Sequence, residues 1–202
     1  APQGQPNRCE TTVTAPHSSI FLVGLPGSGK STVGRQLARH LSLEFVDIDQ
    51  HIEHELGCSI RTYFEREGEK AFRDVEQAAV AELVQRPGVV LSTGGGAVLR
   101  PANRDALKNN GWVVYLKSSP DALYRRLRHD KTRPLLQVDD PLQKLKDLYA
   151  VRHPLYRMVA HHVLETGRPS VATLVNHIAM QWEQQAFQTP AKAAQLPKPM
   201  AD

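Results

Sequence analysis

Apolar residues along this chain fall into two alternating rhythms: short unbroken runs, and longer stretches in which they recur every three or four positions. Ile20-Phe21-Leu22-Val23 is of the first kind, a run closed by a glycine-rich turn. That is the pattern of a strand buried on both faces. From Lys30 the period changes, and Val33, Leu37, Ala38 and Leu41 share one helical face. A second strand is predicted over Phe45-Val46-Asp47-Ile48-Asp49. Ser59 then caps a helix through Arg66, and a longer helix runs from about Glu69 to Gln85, stopped by Pro87-Gly88.

Val89-Val90-Leu91-Ser92 repeats the buried-strand pattern, and Pro101 opens a helix that Asn110-Gly111 ends. Trp112 to Leu116 is a fourth strand, followed by a helix from the Ser119-Pro120 start to about Arg128. After a polar stretch from His129 to Asp140, Pro141 opens a helix to near Met158. His162 to Glu165 is a fifth strand, and a last helix runs from Ser170 past Trp182. Strands alternating with helices predict an α/β domain: a five-stranded parallel sheet, helices on both faces, and ligands beyond the C-terminal ends of the strands.

Composition sets limits around that core. At 202 residues, with 41% hydrophobic and 23% charged positions, the chain suits one domain with a well-buried interior. Residues 1–17 and 188–202 are rich in Pro, Gln, Ala and other residues that bury little apolar surface, and are expected to be flexible tails around a core of 18–187. A net charge of +4 and a pI near 9.2 suit small anions, while sparse aromatics argue against a nucleic-acid surface. No membrane span or secretory signal is readable, and Cys9 and Cys58 have no metal-ligand or redox spacing. A cytoplasmic monomer without membrane or nucleic-acid partners is the expectation.

Chemistry enters at the end of the first strand. Gly24-Leu25-Pro26-Gly27-Ser28-Gly29-Lys30-Ser31 matches G-x-x-x-x-G-K-[ST] between a predicted strand and a predicted helix. In such a loop backbone N–H groups converge on phosphate oxygens, and the following helix directs its positive end at them. Gly27, Ser28, Gly29, Lys30, Ser31 and, less directly, Thr32 form the predicted ATP-binding set. Lys30 supplies charge to the β- and γ-phosphates and Ser31 a hydroxyl for Mg²⁺. A plain glycine turn is the structural alternative, and the loop specifies a nucleotide rather than a reaction.

Asp47 and Asp49, two apart on the predicted strand, would point the same way if the strand stays regular. The third strand ends in Ser92-Thr93-Gly94-Gly95-Gly96 without a carboxylate, which shifts expected metal binding to Ser31 with Asp47. Successive glycines suggest close approach of backbone to a ligand, or only a flexible turn. Arg73 and Glu76 are three apart on a helix, a spacing at which the carboxylate can orient the guanidinium. Taken singly, they and Arg133 and Arg152 read as ordinary surface charges.

Together these residues resemble shikimate kinase. Arg73-x-x-Glu76-x-x-x-Val80, followed after a short spacer by Val90-Leu91-Ser92-Thr93-Gly94-Gly95-Gly96-Ala97-Val98, looks like the family's signature. The phosphate loop, Asp47-Ile48-Asp49, Arg133-Pro134-Leu135-Leu136 and Arg152 with Pro154-Leu155-Tyr156 follow in the family's order. The resemblance implies a P-loop domain of the nucleoside-monophosphate-kinase type with a mobile lid. It also implies transfer of the γ-phosphoryl group of ATP, with Mg²⁺, to the 3-hydroxyl of shikimate, a step toward chorismate and the aromatic amino acids. Lys30, Asp49 and Arg133 would be catalytic, with Asp49 the base and Arg133 a lid arginine on the transferring phosphate. Asp49, Arg73, Gly95 and Arg152 would bind shikimate, with Glu76 holding Arg73. Ser31 and Asp47 would serve the metal, and Arg128 and Arg168 the adenine side of ATP.

Two other readings use the same loop. A different small-molecule kinase, such as a gluconate kinase, would lack the combination of Arg73, the triple glycine and Arg152. A catalytically silent nucleotide-binding module would have little reason to keep Lys30, Asp49 and Arg133 together.

Overall fold

Ile20–Val23 (β1) is buried at every position, and its alternate residues enter different halves of the interior. Phe21 and Val23 face one side of the sheet, Ile20 and Leu22 the other, as the period of two in a strand requires. The computed structural model describes residues 17–129 and 137–188. Arg133 with its neighbours Pro134-Leu135-Leu136, and nearly all of both predicted tails, lie outside the described residues.

Glu44–Asp47 (β2), Val89–Ser92 (β3), Trp112–Lys117 (β4) and His162–Glu165 (β5) complete a five-stranded sheet. Its order is β2-β3-β1-β4-β5, and every pairing is parallel. The chain builds one flank of β1 first and then crosses to the other, which opens a crevice at the C-terminal ends of the central strands.

Helices Lys30–Leu41 (α1) and Val171–Gln188 (α7) cover one face. Val33, Leu37 and Ala38 of α1 and Leu174, Val175 and Ile178 of α7 bury against Leu22, Val90, Trp112 and Val114. On the other face lie Ile48–Leu56 (α2), Ile60–Leu83 (α3), Pro101–Asn110 (α4), Pro120–Leu127 (α5) and Pro141–Val159 (α6). Their apolar stripes, among them Ile52, Phe72, Val80, Leu107, Leu123, Leu145 and Tyr156, meet Phe21, Leu91, Val113 and Tyr115. Each large aliphatic side chain so buried contributes about 1.5–3 kcal/mol, so the two layers hold the crevice residues on a rigid base. No described helix is long and apolar enough to cross a membrane.

Two boundaries bear on function. The second strand does not run to Asp49 as its apolar pattern predicts. Asp47 accepts a hydrogen bond from the Gln50 amide at 3.2 Å and caps α2, which begins at Ile48. A carboxylate satisfying the first helical N–H groups outcompetes two more residues of strand, so Asp47 and Asp49 sit on different elements. In α3, Gly68 at φ 84°, ψ 173° interrupts the helix between its two predicted pieces. Ser59 caps the first piece by accepting from the Thr62 amide, as its sequence position suggests.

Candidate active site

The phosphate loop joins β1 to α1 along one wall of a cleft of about 640 Å³. Pro26, Gly27, Ser28, Gly29, Lys30, Ser31 and Thr32 all line it, and opposite them stand Asp47, Asp49 and the β3 end with Ser92, Thr93, Gly94 and Gly95. The Lys30 ammonium donates to the carbonyls of Gly24 (2.8 Å) and Leu25 (3.0 Å), which holds the charge over the loop that carries it. The Ser28 hydroxyl is buried without a hydrogen-bond partner. A buried orphan donor on such a loop fits an anion bound there.

Ser31 Oγ donates to Asp47 Oδ2 at 2.6 Å, and Ser92 Oγ lies 3.5 Å from Ser31 Oγ. Hydroxyl and carboxylate oxygens at the mouth of a phosphate loop are hard donors of the kind Mg²⁺ takes. The residue pair expected to serve a metal is therefore brought together.

Asp49 begins the first turn of α2 and faces the triple glycine. A side chain on Gly94 would lie 2.8 Å from Asp49 Oδ1 and 3.2 Å from Glu76 Oε2, so this glycine is the space into which both carboxylates fit. Burial pushes the Asp49 pKa up to about 6, with further push from Asp47 and Glu76 and an opposing pull from Lys30. It is a carboxylate that changes charge close to working pH.

Glu76 is only 1% exposed and accepts from Arg73 Nη1 at 2.8 Å. The Arg73 guanidinium lies against Gly96, where a Cβ would come within 2.5 Å of both terminal nitrogens. Its Nε is buried and makes no hydrogen bond; Glu69 is 3.6 Å away. A buried guanidinium edge with donors to spare fits a carboxylate ligand.

Arg152 approaches from α6. It lies beside the Tyr156 hydroxyl one turn later, and that hydroxyl donates to the Gly95 carbonyl at 2.6 Å. Arg73 and Tyr156, from different helices, thus meet the glycine turn at Gly96 and Gly95, with Arg152 one helical turn before Tyr156. The two residues expected on the adenine side do not line the cleft. Arg128 is the C-cap of α5 and contacts His129, and Arg168 is exposed in the turn after β5. Arg126 lines it instead and donates to the Gly27 carbonyl at 3.1 Å, with Thr166, Pro169, Ser170 and Val171 along the same end. The residue's helical phase was the available signal: Leu123 and Leu127 are buried, and Arg126 precedes the second of them on the side toward the loop.

Against known proteins, the model of the shikimate kinase family matches residues 26–183. The shikimate kinase of Paracidovorax citrulli is 54% identical over 179 residues, covering 87% of this chain and 98% of the relative. That of Burkholderia lata is 56% identical over 168 residues, covering 83% and 91%. Among solved structures, shikimate kinase from Acinetobacter baumannii in complex with shikimate is 44% identical with a TM-score of 0.80, covering 87% of this chain and 97% of that one.

Proposed function

The chain belongs to the shikimate kinase family, and from that premise we propose how its cleft carries out the ATP-dependent phosphorylation of shikimate. Asp49 takes the proton of the substrate 3-hydroxyl as its oxygen bonds to the γ-phosphorus. The bond from that phosphorus to the β–γ bridging oxygen breaks, and shikimate 3-phosphate and ADP result. The observation that carries this reading is the place of Asp49, in one cleft with the phosphate loop and with its pKa raised to about 6. A base poised near working pH holds the right protonation state and still accepts a proton readily.

The other residues bind and orient. Phosphate oxygens of ATP lie in the loop from Gly27 to Thr32, with Lys30 compensating charge on the γ-phosphoryl group as it moves. Ser31 and Asp47 would hold magnesium, which when bound neutralises β- and γ-phosphate oxygens. The nucleoside lies toward Arg126 and Pro169, the far end of the same cleft. Arg73, kept in place by Glu76, and Arg152 bind the shikimate carboxylate, and Gly95 meets the ring through its backbone. A role for Arg133 on the transferring phosphate rests on its motif alone.

Asp49→Asn tests the assignment of the base. Its kcat is expected to fall about 10²–10⁴-fold, the usual contribution of a positioned base, while the Kd for ATP measured by calorimetry stays near that of the unaltered enzyme. A variant with near-normal kcat would remove Asp49 from the mechanism.

A further inference from the structure

Resting on this reading of the site, we propose that Tyr156 is a positioning residue: its hydroxyl ties α6, one turn after the carboxylate-binding Arg152, to the triple-glycine turn, and through that turn sets the acceptor against the phosphate loop. The geometry fixes its direction. Tyr156 has a single hydroxyl proton, committed to the Gly95 carbonyl at 2.6 Å. Arg152 lies one turn of α6 before Tyr156, on the same helical face, so holding Tyr156 to the glycine turn also fixes the stretch of helix that carries Arg152.

Gly95 passes the constraint on. A Cβ there would lie 2.6 Å from Pro26 Cδ, so the glycine is packed between Tyr156 on the acceptor side and the phosphate loop on the nucleotide side. Support behind the tyrosine is equally close. Its fully buried ring sits 5.0 Å from the ring of Tyr115, whose hydroxyl is 2.9 Å from His153 Nδ1, and His153 stacks on Tyr149 at 4.6 Å. Such packing leaves the phenol one orientation, which is what a device for holding the glycine turn against α6 needs.

Tyr156→Phe removes only the hydroxyl. The Gly95 carbonyl then loses its donor and α6 its tie to the glycine turn, and we expect the KM for shikimate to rise about 10-fold with a smaller fall in kcat, while the KM for ATP stays within about 2-fold. Hydrogen exchange of backbone amides across residues 92–99 should quicken in the same variant, and exchange in β1 should not. An unchanged shikimate KM, or equal losses for shikimate and ATP with faster exchange throughout the sheet, would overturn the proposal. Two arms keep it separate from the function itself. Absence of shikimate turnover in the unaltered enzyme would reject the assigned reaction, whereas the exchange experiment needs no substrate and tests the Tyr156–Gly95 tie by itself.

Discussion

The two ends of the cleft are made differently. At the phosphate end a single octapeptide supplies the binding groups, mostly backbone, and one lysine bonded to the loop's own carbonyls. At the end proposed for the acceptor, Asp49 of α2 and Glu76 and Arg73 of α3 fit against Gly94 and Gly96, and Tyr156 of α6 donates to the Gly95 carbonyl. Backbone at a strand-to-helix turn is a general receptor for phosphate, whatever else is bound. Buried carboxylates and guanidiniums held by one another fit one shape of partner, because each is costly to bury unless its neighbours are in place. Generality lies at one end and specificity at the other.

The largest expected separation of the two comes from Lys30→Ala. Loss of the charge that follows the γ-phosphoryl group should lower kcat about 10²–10³-fold, on the scale of removing one preorganised electrostatic group. Shikimate affinity, measured by calorimetry without nucleotide, should remain within a few-fold. A comparable loss of shikimate affinity would mean that the two ends are not separable.

Glu76→Ala should act on the other end and on the fold. It leaves the largely buried Arg73 guanidinium without its closest partner, and breaking such a buried pair costs about 3–5 kcal/mol. Chemical denaturation should show that loss, and the KM for shikimate should rise while ATP binding by the remaining folded protein is kept. Full stability in this variant would contradict the pairing as the support of Arg73.

The smallest effect is a matter of pH. Because Asp49 ionises near 6 rather than 3.8, kcat/KM for shikimate at saturating ATP should drop about tenfold per pH unit below that value as the base is protonated. Stability runs the opposite way. A carboxyl whose folded pKa is raised favours the fold below its unfolded value and loses that contribution as pH rises through the folded pKa. Asp49→Asn should therefore be more stable than the unaltered enzyme at pH 8, by on the order of 3 kcal/mol, with little difference at pH 4. A flat comparison across that range would place Asp49 in a solvated setting.

The same contrast explains what could be read from the chain. The phosphate loop is contiguous, so its residues and its setting were visible together, and the alternating runs of β1, β3 and β4 gave the buried sheet directly. Arg73, Gly95 and Arg152 are each unremarkable alone; only the family resemblance gathered them, because their meeting depends on how α3 and α6 pack on the sheet. Asp49 was read as strand since Phe45 to Ile48 is apolar enough to continue one, whereas the capping bond of Asp47 to Gln50 that starts α2 is decided by a backbone turn no pattern displays. Arg126 was missed for a related reason. Its neighbours Arg125 and Arg128 offer the same charge, and which of the three reaches Gly27 follows from the phase in which Leu123 and Leu127 bury.

Whether specificity does reside at the acceptor end is tested most directly by coupled ADP release from the purified protein with Mg²⁺ and ATP, offered shikimate, gluconate or no acceptor in parallel. Turnover with shikimate well above the other two, and formation of shikimate 3-phosphate, is the predicted result. Release with gluconate alone, or none with any acceptor from folded protein, would contradict it.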